Sequence, residues 1–251
     1  MVKLSILIPV YNESASIEIL LRRVAAVALA VADPAVPTPS GNSDEGADGP
    51  SQAPMEREII VVNDSSTDGT REILTRLESE PLPDLRVVHH QRNQGKGAAV
   101  RTALAASTGD YVIIQDADLE YDPADYPRLL APILTGQAQL TYGVRSFAGQ
   151  KLLLHWGNSF LTWVTNLLFG ARLHDMETCY KLLPGDLFRT LDLECNRFDM
   201  EPEITAKVLR RGYHIHEVPI SYEPRGAKKL SPWRDGFPAL WALIKYRWQR
   251  L

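Results

Sequence analysis

An apolar run that stops dead in carboxylates constrains this chain more than any other stretch. Tyr111–Pro123 reads YVIIQDADLEYDP: Tyr111, Val112, Ile113 and Ile114 are followed at every second position by Asp116, Asp118, Glu120 and Asp122. The first four residues have the β-rich, bounded character of a buried strand. Acidic side chains at the C-terminal end of such a strand stand where an open α/β sheet presents its ligand crevice. On an extended backbone Asp116 and Asp118, two residues apart, point the same way. Two like charges held together are costly unless a cation neutralises them. Oxygen ligands in that number suit magnesium or manganese, which would in turn carry a diphosphate. The competing reading is a solvated acidic turn that caps the helix beginning near Pro123.

The flanking sequence repeats the strand–turn–helix pattern. Lys3–Val10 (KLSILIPV) is a β-type run that ends in Tyr11-Asn12-Glu13, and Glu13–Val31 carries Ile17, Leu20, Leu21, Val24, Ala25 and Ala28 at helical spacing. Glu58–Asn63 (EIIVVN) leads to Asp64-Ser65-Ser66-Thr67-Asp68-Gly69-Thr70 and a helix through Leu77. Leu85–His89 leads to Asn93-Gln94-Gly95-Lys96-Gly97 and a helix from Ala98 to Ser107. A helix from Pro123 to Leu134 and a strand from about Gln139 to Val144 follow. Alternation at this rhythm predicts a mostly parallel sheet covered by helices on both faces. The turns at Tyr11, Asp64, Gly95 and Asp116 then line one edge. Asp33–Pro54 (DPAVPTPSGNSDEGADGPSQAP) interrupts the pattern as a flexible insertion, too rich in Pro, Gly, Ser and acid to bury a core.

The second half has a different texture. Lys151–Phe169 is helical in period and apolar around most of its surface, and a helix over 202–211 and a strand over 214–222 follow. The stretch Pro232–Leu251 mixes Trp233, Phe237, Trp241 and Trp248 with Arg234, Lys245, Arg247 and Arg250. Aromatics beside cations suit a membrane interface, and equally a terminal helix docked on the core.

Bulk properties exclude several classes. The 251 residues, 45% hydrophobic and 23% charged, are those of an ordinary globular chain, and a formal net charge of −4 offers nucleic acid no basic field. Two cysteines, Cys179 and Cys195, make no disulfide framework. No signal peptide or spanning helix is expected, so the chain reads as soluble or peripheral.

Each turn read from its residues is a weak signal. Tyr11-Asn12-Glu13 offers stacking and hydrogen bonds to a base, and Asp64 and Asp68 offer acceptors, although Asp68-Gly69-Thr70 is also an ordinary helix start. Gly95-Lys96-Gly97 lets a backbone approach a ligand at a helix N-terminus, with Lys96 adding positive charge. It is no Walker loop, since the GKS/T ending is missing.

Together and in order, SILIPVYNE, VVNDSSTDGT, NQGKGAA and QDADLEYDP resemble a family 2 glycosyltransferase of GT-A fold, and within it the polyprenyl-phosphate glycosyltransferases of the dolichyl-phosphate mannose synthase type. The resemblance continues through NSFLTWVTNLLFGARLHDMETCYKLL, FDMEPEITAKVLRRGYHIHEVPISYEPR and PWRDGFPALWALIKYRW, and omits only the insertion. It implies a Rossmann-like, nucleotide-sugar-binding core over 1–145 and an acceptor-binding part over 146–251 ending in membrane-interface helices. Pro9, Tyr11 and Glu13 would hold the base region, Asp64 the base or ribose, and Lys96 the ribose and base loop. Asp116, Ala117 and Asp118 match the DxD motif: Asp118 would bind Mg2+ or Mn2+ directly, Asp116 would contact metal, ribose or sugar, and Glu120 would be a third metal ligand. Arg145 matches a basic residue near the diphosphate and acceptor phosphate. The loop before the final Trp-Asp-Gly region looks shortened, but Arg225, Lys228 and Lys229 remain to clamp phosphate.

What the resemblance implies is an inverting transfer from a UDP- or GDP-sugar to polyprenyl phosphate, feeding a cell-envelope glycan. It would take place on the cytoplasmic face of the membrane, with an integral-membrane protein as a further partner. An anionic lipid phosphate needs no general base; a hydroxyl acceptor does, and Asp175 and Glu177 in HDMETCYK are the candidates. The other readings are a transferase with a saccharide or other hydroxyl acceptor, and a silent sugar-nucleotide-binding subunit. A nucleotidyltransferase would carry a Gly-rich basic loop where this chain has Val10-Tyr11-Asn12-Glu13.

Overall fold

The computed structural model describes residues 1–32, 52–80, 82, 84–146, 152–225 and 236–249. Seven strands form the main sheet: β1 (Lys3–Val10), β4 (Glu56–Asn63), β5 (Leu85–His89), β6 (Tyr111–Ile114), β7 (Thr141–Arg145), β8 (Lys181–Pro184) and β9 (His216–Ile220). Their order across the sheet is β5-β4-β1-β6-β8-β7-β9. β1 pairs in parallel with both β4 and β6, β4 with β5, and β7 with β9, whereas β8 runs antiparallel to β6 and β7. The expected mostly parallel sheet is therefore present, with β8 alone reversed.

This order places the crevice. The chain builds outward from β1 through β4 to β5, then returns to lay β6 on the other side of β1. Connections that leave in opposite directions from two neighbouring strands open a gap beyond their C-terminal ends. The residues after Val10 and after Ile114 flank that gap. Because β8 runs backwards, its first residue, Lys181, and the segment before it also lie at this edge.

Helices α1 (Ile17–Ala26), α2 (Thr70–Glu78), α3 (Lys96–Ala106) and α4 (Tyr126–Leu134) follow β1, β4, β5 and β6. Each turns an apolar stripe inward; Ile17, Leu20, Leu21 and Val24 of α1 are buried. The β1 and β4 strands are buried on both faces, as the near-continuous runs of Ile, Leu and Val require. Then come α5 (Leu152–Phe169), α6 (Gly185–Arg189), α7 (Met200–Arg210) and α8 (Phe237–Trp248). Leu161, Met176, Ala206, Ala239, Leu243 and Tyr246 make a second core between α5, α7 and α8.

Several elements differ from the sequence expectation. The first helix ends at Ala26 instead of running to Val31, because Val27 turns extended (φ −63°, ψ 125°). Ala30–Ala32 (β2) then pairs antiparallel with Gln52–Pro54 (β3), so the end of the expected flexible insertion is a strand; residues 33–51 of it lie outside the described ones. The strand β8 has no counterpart in the sequence reading, since four residues flanked by more apolar sequence show no period-2 signal.

β1 lies inside the sheet between β4 and β6, with every residue from Leu4 to Val10 buried. Replacing Leu7, fully buried, by Ala should lower the unfolding free energy by about 2–5 kcal/mol. Ile19→Ala, on the exposed side of α1, should stay within about 0.5 kcal/mol, both read from urea denaturation.

Candidate active site

The turns after β1 and β4 are laced together. Asn12, at φ +56°, donates its N–H to Ser66 Oγ (2.9 Å) and accepts at Oδ1 from Thr67 N–H (2.8 Å). Glu13 N–H donates to Thr70 Oγ1 and Ser14 N–H to Asp68 Oδ2, both at 3.0 Å. Asp68 also accepts from the N–H and hydroxyl of Thr70. Burial alone would raise its pKa, but the hydrogen bonds from Thr70 and Ser14 hold it down to about 2. Asp68, one residue before the N-cap Gly69, thus clasps the loop to the first residue of α2. Pro9 lies inside β1, while Tyr11 stays exposed at the rim.

Asp64 is buried, and protein donors occupy its carboxylate. Oδ1 lies 2.7 Å from His90 Nδ1 and 2.9 Å from Gln94 N, and Oδ2 accepts from Gly95 N–H at 2.7 Å. It pins the turn before α3, with His90 braced on Thr102 Oγ1 (2.9 Å). Nothing in the sequence pattern singles out His90 for this.

The two glycines around Lys96 also serve the chain itself. Gly95 has φ +96°, and a methyl group there would overlap the carbonyl oxygen of Asn196; one at Gly97 would overlap that of Cys195. Arg101 clamps the same segment through Glu194 O, Cys195 O and Asn196 Oδ1. The close approach expected for a ligand is made by the protein's own turn over 194–197.

The carboxylate cluster is bent, not extended. Beyond Ile114 the chain turns, and Leu119 takes φ +63°, so the same-side argument from an extended backbone does not hold. Asp118 Oδ1 instead accepts from Glu120 N–H (3.1 Å), a turn-closing bond. Ala117 is buried between the two aspartates. Lys96 Nζ lies 2.7 Å from Asp116 Oδ1 and 2.7 Å from Glu201 Oε1. Burial would lower the lysine's pKa, yet Asp116 and Glu201 outweigh it and raise the value well above normal.

Glu120, expected as a third metal ligand, is engaged elsewhere. It is buried, with Oε2 accepting from Tyr222 OH (2.8 Å) and Oε1 from Arg225 N–H (2.9 Å). Among the described residues no three His, Cys, Asp or Glu side chains gather as a metal cluster. The carboxylates of Asp116 and Asp118, two residues apart in this turn, are oxygen donors of the kind a hard divalent cation takes, and water and a diphosphate would have to supply the rest of its shell. Arg225 reaches back to Glu13 (2.9 Å), closing one side of the cleft. Lys228 and Lys229 lie outside the described residues.

Arg145, at the end of β7, is gripped by Asp175. Its Nε and Nη2 each donate at 2.7 Å to the two carboxylate oxygens, its N–H adds a third bond, and Asn158 Nδ2 adds a fourth at 3.1 Å. The guanidinium also lies 5.3 Å from the centre of the Tyr222 ring. Burial would raise the Asp175 pKa, but the bonds from Arg145 prevail and hold it below the ordinary value. Glu177 differs: burial, then the neighbouring Glu201, push its carboxyl up, and its Oε1 has no hydrogen-bond partner among the described residues.

Beside the cleft, α5 and α8 expose one face each. Phe160, Trp163 and Leu167 on α5, and Phe237, Trp241, Ile244 and Trp248 on α8, are exposed at helical spacing. The opposite side of α8 packs Ala239, Ala242, Leu243 and Tyr246 into the second core. Among the described residues no helix is long and apolar enough to cross a membrane.

Comparisons with known proteins agree with this architecture. The model of glycosyl transferase family 2 matches residues 5–183. The low-salt glycan biosynthesis hexosyltransferase Agl6 of Haloferax volcanii is 30% identical over 186 residues, 71% of this chain and 43% of that protein. The undecaprenyl-phosphate mannosyltransferase of Micrococcus luteus is 30% identical over 191 residues, 70% of this chain and 76% of that one. The chain therefore spans less than half the length of the first of these and about three quarters of the second. In structure it is similar to glucosyl-3-phosphoglycerate synthase from Mycobacterium tuberculosis in complex with uridine diphosphate. The TM-score is 0.69 at 21% identity, over 98% of this chain and 80% of the other, which identifies the GT-A fold.

The Arg145–Asp175 pair has a measurable signature. Asp175→Asn takes the opposing charge away from the buried Arg145 guanidinium and should cost about 3–5 kcal/mol in chemical denaturation. Because the folded carboxyl titrates below its unfolded value of about 4, its contribution is complete above that pH and is lost as pH falls through the folded pKa. The stability of the parent protein should accordingly drop more steeply on acidification than that of Asp175→Asn.

Proposed function

We propose that this chain, which belongs to glycosyl transferase family 2, moves a sugar from a UDP- or GDP-sugar to a polyprenyl phosphate with inversion at the anomeric carbon. The observation that carries the reading is the turn after β6 at the sheet's switch point. Asp116 is paired there with the Lys96 ammonium and Asp118 follows two residues on, anions and a cation at the edge where an open α/β sheet presents its ligand crevice. The relatives named for undecaprenyl phosphate support the acceptor assignment.

Asp118, with Asp116, would hold Mg2+ or Mn2+, which when bound neutralises charge developing on the leaving diphosphate. Tyr11 at the rim is placed to stack on the base, with Pro9 and Glu13 shaping that end of the cleft. Asp64 supports the donor through the turn it pins, and Lys96 offers its ammonium to the phosphates. Arg145, held in one orientation by Asp175, presents its charge toward the acceptor phosphate. Arg225, with Lys228 and Lys229 after it in sequence, would close over the diphosphate. A carboxylate carrying four donated hydrogen bonds is a poor proton acceptor, so Asp175 acts by positioning. That agrees with an acceptor already ionised at neutral pH.

A hydroxyl acceptor is the second reading, and Glu177 favours it. Its carboxyl, pushed up by burial and by Glu201, lies in the segment before β8 and its Oε1 has no hydrogen-bond partner among the described residues. The exposed aromatic faces of α5 and α8 supply the membrane contact that a lipid acceptor requires. The chain would then sit peripherally on the cytoplasmic face, beside an integral-membrane partner.

Nucleotide release from a panel of UDP- and GDP-sugars, with Mn2+ or Mg2+ and short-chain polyprenyl phosphate, tests the activity. Release should require both metal and lipid phosphate and fall about 100-fold or more in Asp118→Ala. Release indifferent to lipid phosphate, or to Asp118, would refute the reading. Sedimentation with anionic phospholipid vesicles tests the surface: the parent protein should pellet, and Trp163→Glu/Trp241→Glu should stay in solution with unchanged circular dichroism.

A further inference from the structure

The Lys96 ammonium is divided between two carboxylates of different standing. Asp116 belongs to the turn at the crevice, whereas Glu201 belongs to the first turn of α7 and is almost wholly buried. Glu201 Oε2 is buried with no hydrogen-bond partner among the described residues.

The backbone around Glu201 is anchored through its neighbour Glu203. Glu203, two residues on, accepts from Glu194 N–H and Cys195 N–H at 2.8 Å each and pairs with Lys207 at 2.7 Å. The segment so anchored presses its carbonyls against Gly95 and Gly97, on either side of Lys96. One assembly, α7 with the turn before it, therefore fixes both the backbone and the ammonium of Lys96.

We propose that Glu201 is a positioning residue that makes Lys96 a displaceable counter-ion of Asp116. With no divalent cation present, the ammonium neutralises Asp116. When a divalent cation takes that carboxylate, the ammonium passes wholly to Glu201, where Oε2 stands open to receive it, and its charge stays beside the diphosphate. The proposal rests on the reading that Asp116 and Asp118 hold the cation. The physical reason for a second acceptor is repulsion: an ammonium with no partner but Asp116 competes with the incoming cation for the same oxygens. Glu201 relieves that competition from a place the cation does not reach.

The test is binding of Mn2+ alone to the full chain, read by electron paramagnetic resonance of the free ion and independent of turnover. Glu201→Gln, equal in shape but uncharged, should weaken Mn2+ binding at least about fivefold, the lower end of coupling between linked sites. Glu201→Asp should lose less. Lys96→Met should bind Mn2+ more tightly than the parent, and adding Lys96→Met to Glu201→Gln should reverse the loss. A purely structural Glu201 predicts no such reversal. Mn2+ binding that needs Asp118 but is unchanged in Glu201→Gln would overturn this proposal alone. Weaker binding in Lys96→Met, which does not depend on Glu201→Gln folding, would overturn it too. Mn2+ binding unaffected by Asp118→Ala would overturn the cation reading beneath it.

Discussion

The contact of the Lys96 ammonium with Asp116 and Glu201 ties together three parts of the chain that the fold brings to one edge. Asp116 comes from the turn after β6, Lys96 from the start of α3, and Glu201 from the start of α7. A buried ammonium is tolerated only where anions compensate for its lost hydration, so the three elements are held in one arrangement. The same arrangement keeps positive charge at the crevice between β1 and β6, where the reversal of chain direction leaves room for a ligand. Gly95 and Gly97 belong to this constraint, since any side chain there would push the turn over 194–197 away and carry Glu201 with it.

A second polar system, on the far side of β8, has a different task. Arg145 is satisfied by Asp175 in two parallel bonds, and Glu217 fixes the backbone of the Asp175 segment by accepting from His174 N–H and Asp175 N–H. A bidentate arginine fixed in this way loses little further entropy when a phosphate arrives. Between the two systems lie Glu177 and Lys181, whose mutual burial shifts the acid upward and the base downward. The site is thus a row of charges graded from tightly paired at Arg145 to shared at Lys96.

Much of the scaffold is legible in the sequence because it rests on local pattern. The runs KLSILIPV, EIIVVN and YVII are short, β-branched and bounded by polar turns, and they form β1, β4 and β6. The exposed stripes of α5 and α8 follow from helical spacing alone. What escapes the sequence depends on partners far apart in the chain. Glu201 lies 105 residues from Lys96, and no spacing rule connects them; the one available signal is two glutamates and a lysine, Glu201, Glu203 and Lys207, in a helix otherwise made to be buried. Glu120 keeps the alternation of the acidic run, but a left-handed Leu119 turns it inward to Tyr222 and Arg225. Asp64 and the glycines beside Lys96 have the right chemistry for a ligand, and the fold uses their hydrogen-bonding and close-packing capacity on itself.

Anomalous scattering from manganese, in crystals grown with Mn2+ and a uridine or guanosine diphosphate, tests the central claim most directly. The account predicts one manganese site touching Asp118 and the diphosphate at the edge between β1 and β6, with the Lys96 ammonium turned to Glu201. A nucleotide bound at this edge without manganese at Asp116 and Asp118, or bound elsewhere on the protein, would contradict it.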